Sequence, residues 1–308
     1  MVNKISNKLL ITVFVVLAAI VLLMYFSSGK SERSFKSNLV EADTAKVDKI
    51  LLYPKATKHK EVTLIKNGKK WFVKLENKDA EIPANIIGGI LTQLQKMKPS
   101  KLAARREEKW AEFQVDTAGT RVKVFEEGDE QADFVVGKFK FVQPRSVYSY
   151  VRMTDDKDVY EVEGFLDMTF NKTPNNLRDT KIINSENSKW QAVSFNFYND
   201  SSFTLLKVND KWECSEFTID SAKTATELRK LARVNGTTFF DDIKPEDLGK
   251  PVFTLSINAD KENEILVNAY NVNGKNVISS SMNPGSYFDG NVSGLKSKLI
   301  VKQKEFIK

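Results

Sequence analysis

Two residue types are almost missing from this 308-residue chain: Cys214 is its only cysteine and His59 its only histidine. One cysteine allows no intrachain disulfide, so the core must hold the fold unaided. One histidine and one cysteine exclude zinc sites of the Cys/His type, and a catalytic Cys–His pair with them. His59 has no G-x-S-x-G elbow to serve, and no G-x-x-x-x-G-K-[ST] phosphate loop exists. Arginine-rich arms and nucleic-acid motifs are also lacking. Residues 31–308 carry 44 basic and all 40 acidic residues, a surplus of only +4. The charges are interspersed, which suits solvated faces rather than a nucleic-acid groove.

Charge is wholly absent from residues 9–26, LLITVFVVLAAIVLLMYF. Eighteen helical residues rise about 27 Å, enough to cross a hydrocarbon core. No A-x-A cleavage pattern follows, so the run is expected to remain as an anchor. Lys4 and Lys8 precede it, and Lys30, Arg33 and Lys36 follow. The positive-inside count is nearly balanced, and the short basic tail favours N-in and C-out. The expected location is the bacterial cytoplasmic membrane, with the C-terminal part periplasmic. Residues 27–46 are polar and read as a stalk.

One phrase occurs twice. Residues 62–71 read VTLIKNGKKW and residues 203–212 read FTLLKVNDKW. In the first, strands flank a turn at Asn67-Gly68; in the second, at Asn209-Asp210. A helix follows each hairpin. Pro83 opens residues 83–98, whose Ile86, Ile87, Ile90, Leu91, Leu94 and Met97 share an apolar stripe. Asp220 or Ser221 caps the second helix, which carries Leu228, Leu231 and Val234 before Asn235-Gly236. Further strands complete each copy: RVKVFEE, ADFVVGKF, SVYSYVRM and DVYEVEG in the first. VFTLSINA, EILVNAYNVNG, NVISSSM and a last strand near 298–303 complete the second.

The predicted fold class is therefore α+β, with mostly antiparallel sheet and one principal amphipathic helix per module. The divisions are a tail and anchor (1–26), a stalk (27–46), a first module (47–166), a connector (167–188) and a second module (189–308).

The order VTLIKNGKKWFV, helix, FQVDTAGTRVKV, FVVGK, VYSYVR, DVYEVEG and NNLRDTKII resembles the domain-of-unknown-function 4340 family of bacterial membrane-anchored envelope proteins. At 112–119 the chain reads EFQVDTAG where that family often shows a Y-G-L-D-x-P turn. The resemblance implies a partnership with ABC-type export systems of the kind associated with gliding-motility auxiliary proteins. It implies no catalytic residues, and none is assigned; no cofactor or metal is expected.

Other constellations read as scaffold. Asn258, Asp260, Glu262 and Glu264 lack the glycine and terminal Glu of a calcium loop. Asp155, Asp156 and Asp158 fit a hairpin turn. Gly88-Gly89 suggests close packing against a sheet, or a face for a partner helix. Trp71 and Trp212 are expected in the two cores, and Cys214 beside the latter. The expected function is a non-enzymatic, membrane-anchored accessory subunit of an envelope complex of ABC-exporter type. Its partners would be the membrane itself and membrane proteins such as an ABC-type permease. The alternatives are a periplasmic module binding envelope polysaccharide or peptide, and a carboxylate-dependent hydrolase.

Overall fold

The structure is a computed structural model that describes residues 14, 16–18, 37–260 and 263–307. The expected anchor lies outside the described residues except at Phe14, Val16, Leu17 and Ala18, which are helical. No helix among the described residues is long and apolar enough to cross a membrane.

Alternation of apolar and polar residues builds the first sheet. β1 (Val47–Tyr53), β2 (Val62–Asn67), β3 (Lys70–Lys74) and β4 (Asp79–Ile82) form an antiparallel meander. Their inward residues, among them Ile50, Leu52, Leu64 and Val73, are fully buried. The β2–β3 turn is Gly68-Lys69, with φ of +58° at Gly68, one residue beyond the expected Asn67-Gly68. Asn67 instead pairs with Lys70. This puts the turn in register with Asn209-Asp210, where both residues have positive φ.

Helix α1 (Ala84–Gln95) starts behind Pro83 and buries Ile87, Ile90 and Leu94 on the sheet. Met97 lies past its end and is still buried. β5 (Pro99–Ala104), α2 (Trp110–Phe113), β6 (Thr120–Glu126), β7 (Asp129–Val142), β8 (Ser146–Met153) and β9 (Val159–Glu163) follow. The nine strands are ordered β4-β3-β2-β1-β6-β7-β8-β9-β5. Both edges of this sheet are thus joined through α1. Eight interstrand steps span about 38 Å in a flat sheet. The helix itself is only about 18 Å long. The sheet must therefore curl around α1, which seals its concave face. On the opposite face a small cluster of Val115, Val135, Tyr150 and Val159 lies under Trp110 and Phe113.

α3 (Leu166–Phe170) places Leu166 and Phe170 in the first core, and Leu177 joins them. β10 (Lys181–Asn184) adds Ile182 and Ile183 to the second core. Residues 167–188 are thus shared between the two cores. At the other end, Leu39 and Val40, within the expected stalk, are buried in the first core.

The second sheet contains β11 (Ala192–Phe197), β12 (Phe203–Val208) and β13 (Lys211–Cys214). Helix α4 (Ser221–Leu231) and β14 (Arg233–Asn235) intervene. β15 (Phe253–Asp260), β16 (Asn263–Val272), β17 (Lys275–Ser280) and β18 (Phe288–Asp289) complete it. Its order, β13-β12-β11-β15-β16-β17-β18, repeats β3-β2-β1-β6-β7-β8-β9 strand for strand. The differences flank the helix: β4 has no counterpart beyond β13, and β5 closes onto β9, whereas β14 pairs with β10.

Asp220 caps α4 by accepting from the Ala222 and Lys223 amides. Val234 is a strand residue in β14, not the last helical position expected of it. The expected strand at 298–303 is replaced by α5 (Leu295–Leu299). Leu295 and Leu299, four apart, bury one helical face, and that spacing overrides the strand-like run that follows.

Candidate binding site

Two glycines seat a loop on the outer face of the first sheet. A side chain at Gly137 would collide with the Phe113 carbonyl. One at Gly119 would lie 2.6 Å from the Gln114 carbonyl oxygen. Residues 113–119 therefore close onto β7, where its register with β8 shifts between Val136 and Phe139. The Val115 amide donates to the Trp110 carbonyl at 3.0 Å, and Asp116 Oδ1 accepts from the Ala118 amide at 3.1 Å.

Arg152 of β8 holds this loop from below. Its Nε donates to the Val115 carbonyl and its Nη1 to the Met153 carbonyl, both at 3.0 Å. The guanidinium lies 3.8 Å from the centroid of Trp110, whose Nε1 donates to the Lys157 carbonyl. Arg152 is only 7% exposed, and no carboxylate among the described residues lies within ion-pair distance. Burial pushes its guanidinium below the ordinary value, offset by the more distant Glu107, Asp133 and Asp116.

Beside it a cavity of about 600 Å³ opens between Tyr53, His59, Trp110, Thr117, Arg121 and Arg152. Arg121 Nε donates to Asp133 Oδ1 at 2.8 Å, and Lys123 Nζ lies 3.4 Å from Oδ2. Burial opposes the Asp133 charge, yet Arg121, Thr154 and Lys123 together hold the carboxyl below its usual range. Tyr53 donates to Glu61 at 2.7 Å; burial and that carboxylate push its hydroxyl up to about 12.

A second constellation joins the two sheets. Arg178 is 3% exposed and donates through Nη1 to Asp241 Oδ2 at 2.9 Å. Its guanidinium sits 3.6 Å from the Phe239 ring centroid, and its Nε has no protein partner among the described residues. Lys78, from the β3–β4 connection, reaches Asp241 Oδ1 at 3.1 Å. Burial lowers the Arg178 pKa and Asp241 opposes that shift. A cleft of about 440 Å³ adjoins this cluster, with Lys78, Asp79, Glu81, Arg178 and Asp179 on its walls. Glu81 is paired with Lys70 and Asp179 with Lys181.

His59 is exposed in the β1–β2 connection with φ of +60°; its Nδ1 is 3.3 Å from the Tyr53 carbonyl oxygen. Cys214 is half-buried against the second core. Burial and a hydrogen bond to Glu216 raise its thiol. Trp71 is buried, whereas Trp212 is only partly so. Asp155, Asp156 and Asp158 form the β8–β9 turn, where Tyr160 donates to Asp156 Oδ2. Of the calcium-like series, Glu262 lies outside the described residues, and the rest flank the β15–β16 turn. No group of three or more potential metal ligands occurs among the described residues. Gly88 and Gly89 correct the expectation of close packing. A Cβ at either would meet nothing within 4 Å.

In the sequence Arg152 and Arg178 stand inside the longer motifs VYSYVR and NNLRDTKII. The one charged residue of the strand SVYSYVRM, in step with Tyr148 and Tyr150, is the available signal for Arg152.

Asp116, Thr117, Gly119, Val135 and Arg152 of the first cavity come from FQVDTAG, FVVGK and VYSYVR, and Arg178 comes from NNLRD. These define an α+β protein, with two large antiparallel sheets and a small two-stranded one, whose motif residues seat loops and join sheets. The model of the domain of unknown function DUF4340 matches residues 71–251, more than half of the chain, and the protein belongs to that family. No curated protein and no solved structure matches.

Proposed function

We propose that the protein is a non-enzymatic accessory subunit of an envelope membrane complex of ABC-exporter type. Residues 9–26 anchor it in the bacterial cytoplasmic membrane, and two related modules, 47–166 and 189–308, face the periplasm. The uncharged 9–26 run supports the anchor. The repeated strand order supports descent of both modules from one.

The observation that carries a protein-docking role is the β7–β8 hairpin. Beyond Val136, β7 leaves β6 and runs on to Val142. Phe139 there packs 4.1 Å from Phe165 and 5.3 Å from Phe141, centroid to centroid. Phe141 is 72% exposed and Met168 on α3 is 66% exposed. Such an aromatic tip gains about 25 cal/mol per Å² when covered. The anchor makes an integral membrane subunit its partner.

A photo-crosslinker at position 141 of the full chain, activated in native membranes, tests this. The expected product contains an integral membrane protein and disappears when Phe139→Ser is added to the chain. Recovery of no membrane protein would refute it.

A second reading, a binding module for envelope polysaccharide or peptide, is favoured by the cleft beside Arg178. Saturable binding of a glycan or peptide, lost on Ser286→Trp at its wall, would select that reading.

A further inference from the structure

We propose that the cavity beneath the 113–119 loop binds a small organic anion, a carboxylate or phosphate ester on a ring-shaped or apolar body, with Arg152 as its counter-ion. This goes beyond the accessory role, which requires no ligand at this position.

The two most buried arginines differ in one respect. Arg178 has Asp241 at 2.9 Å, whereas Arg152 has no ion-pair partner among the described residues. A buried cation left without an anion is costly, and proteins normally pair it. Carbonyl oxygens take Nε and Nη1 of Arg152, which fixes the guanidinium plane. Nη2 makes no hydrogen bond among the described residues, and Arg152 lines the cavity.

Of the three carboxylates that favour the Arg152 charge, the exposed Glu107 acts from beyond ion-pair distance, and the other two are occupied elsewhere. Asp133 is bound by Arg121 and Lys123, and Asp116 accepts from the Ala118 amide. Arg121 and Lys123 are matched by Asp133 and Glu130, so neither carboxylate is left over to neutralise Arg152.

The rest of the cavity selects the body of the ligand. Tyr53, Trp110 and Val135 supply apolar wall, and about 600 Å³ lies within the range of small-molecule sites. Since only one nitrogen of the guanidinium is uncommitted, the contact is to one oxygen rather than a bidentate fork. A monoanion satisfies it.

The test uses the full chain in detergent, labelled with 5-fluorotryptophan, and three probes: benzoate, phenyl phosphate and benzyl alcohol. Trp110→Phe assigns the Trp110 signal. Benzoate or phenyl phosphate is expected to move that signal saturably, at least tenfold more tightly than benzyl alcohol. A tenfold preference between the two anions identifies which oxyanion the site takes. Arg152→Met should abolish the shift. Thr117→Trp, at an exposed wall position, should abolish it while leaving the melting temperature unchanged, which guards against unfolding of the first variant. The proposal fails if neither anion moves the signal, if benzyl alcohol binds as well, or if Thr117→Trp binds undiminished.

Discussion

Arg178 and Asp241 meet at 2.9 Å across the junction of the two sheets, with Phe239 stacked on the guanidinium. One comes from the segment after the first sheet, the other from the loop after β14. The pair is asymmetric: the Arg178 side chain is 2% exposed and that of Asp241 is 32% exposed.

Removing one partner should therefore be costly, because it strands a buried charge. Asp241→Ala is expected to destabilise by about 1–3 kcal/mol. Lys78→Ala should cost less than about 1 kcal/mol, since Lys78 is more exposed than Arg178. Urea midpoints of the single and double variants measure both. Equal losses for Asp241→Ala and Lys78→Ala would contradict the assignment of Arg178 as the buried member.

Glycine substitutions should have opposite signs at two places. Gly88→Ala and Gly89→Ala, on α1 with open space around them, are each expected to stabilise by up to about 1 kcal/mol. Gly137→Ala drives a methyl into the Phe113 carbonyl and should destabilise by about 1–3 kcal/mol. Thermal melts of the three variants check this. A neutral Gly137→Ala would show that the loop does not need its close seat on β7.

Acid should weaken the outer face of the first sheet. Asp133 titrates lower in the folded protein than the roughly 3.9 of an unfolded aspartate. Its contribution is present above that unfolded value and is lost as pH falls through the lower folded one. Asp133→Asn should therefore reduce stability near pH 7 and flatten its fall below about pH 4. Urea melts from pH 7 to pH 2 would show it. An equally steep acid loss in the variant would assign the effect to other carboxylates.

Deleting the α4 cap, Asp220→Ala, should cost about 1 kcal/mol. The Ala222 and Lys223 amides both lose their acceptor, as hydrogen exchange at those two positions should report.

Local signals carried most of this fold. Alternation in VTLIK and KWFVK located both strands of the first hairpin, and Asp220 marked the start of α4. The Asn-Gly pair placed its turn one residue early because cross-strand register, not dipeptide preference, set it at Gly68-Lys69. At the C-terminus, Leu295 and Leu299 had the spacing of a helix, but the apolar residues after them looked like a strand. The candidate sites were scarcely legible. Trp110 and Arg152, like Arg178 and Phe239, stack through tertiary contacts between residues distant in sequence. No single motif contains either pair.

The route of α1 between both edges of the first sheet has a kinetic consequence. β5 follows α1 directly in sequence, yet it can dock only on β9, which is translated much later. Its pairing closes a long loop, the slowest class of folding event. The first sheet should therefore fasten its outermost strand last. Until then α1 has only one of its two tethers, and the edge of β9 stays open to any other strand that reaches it first.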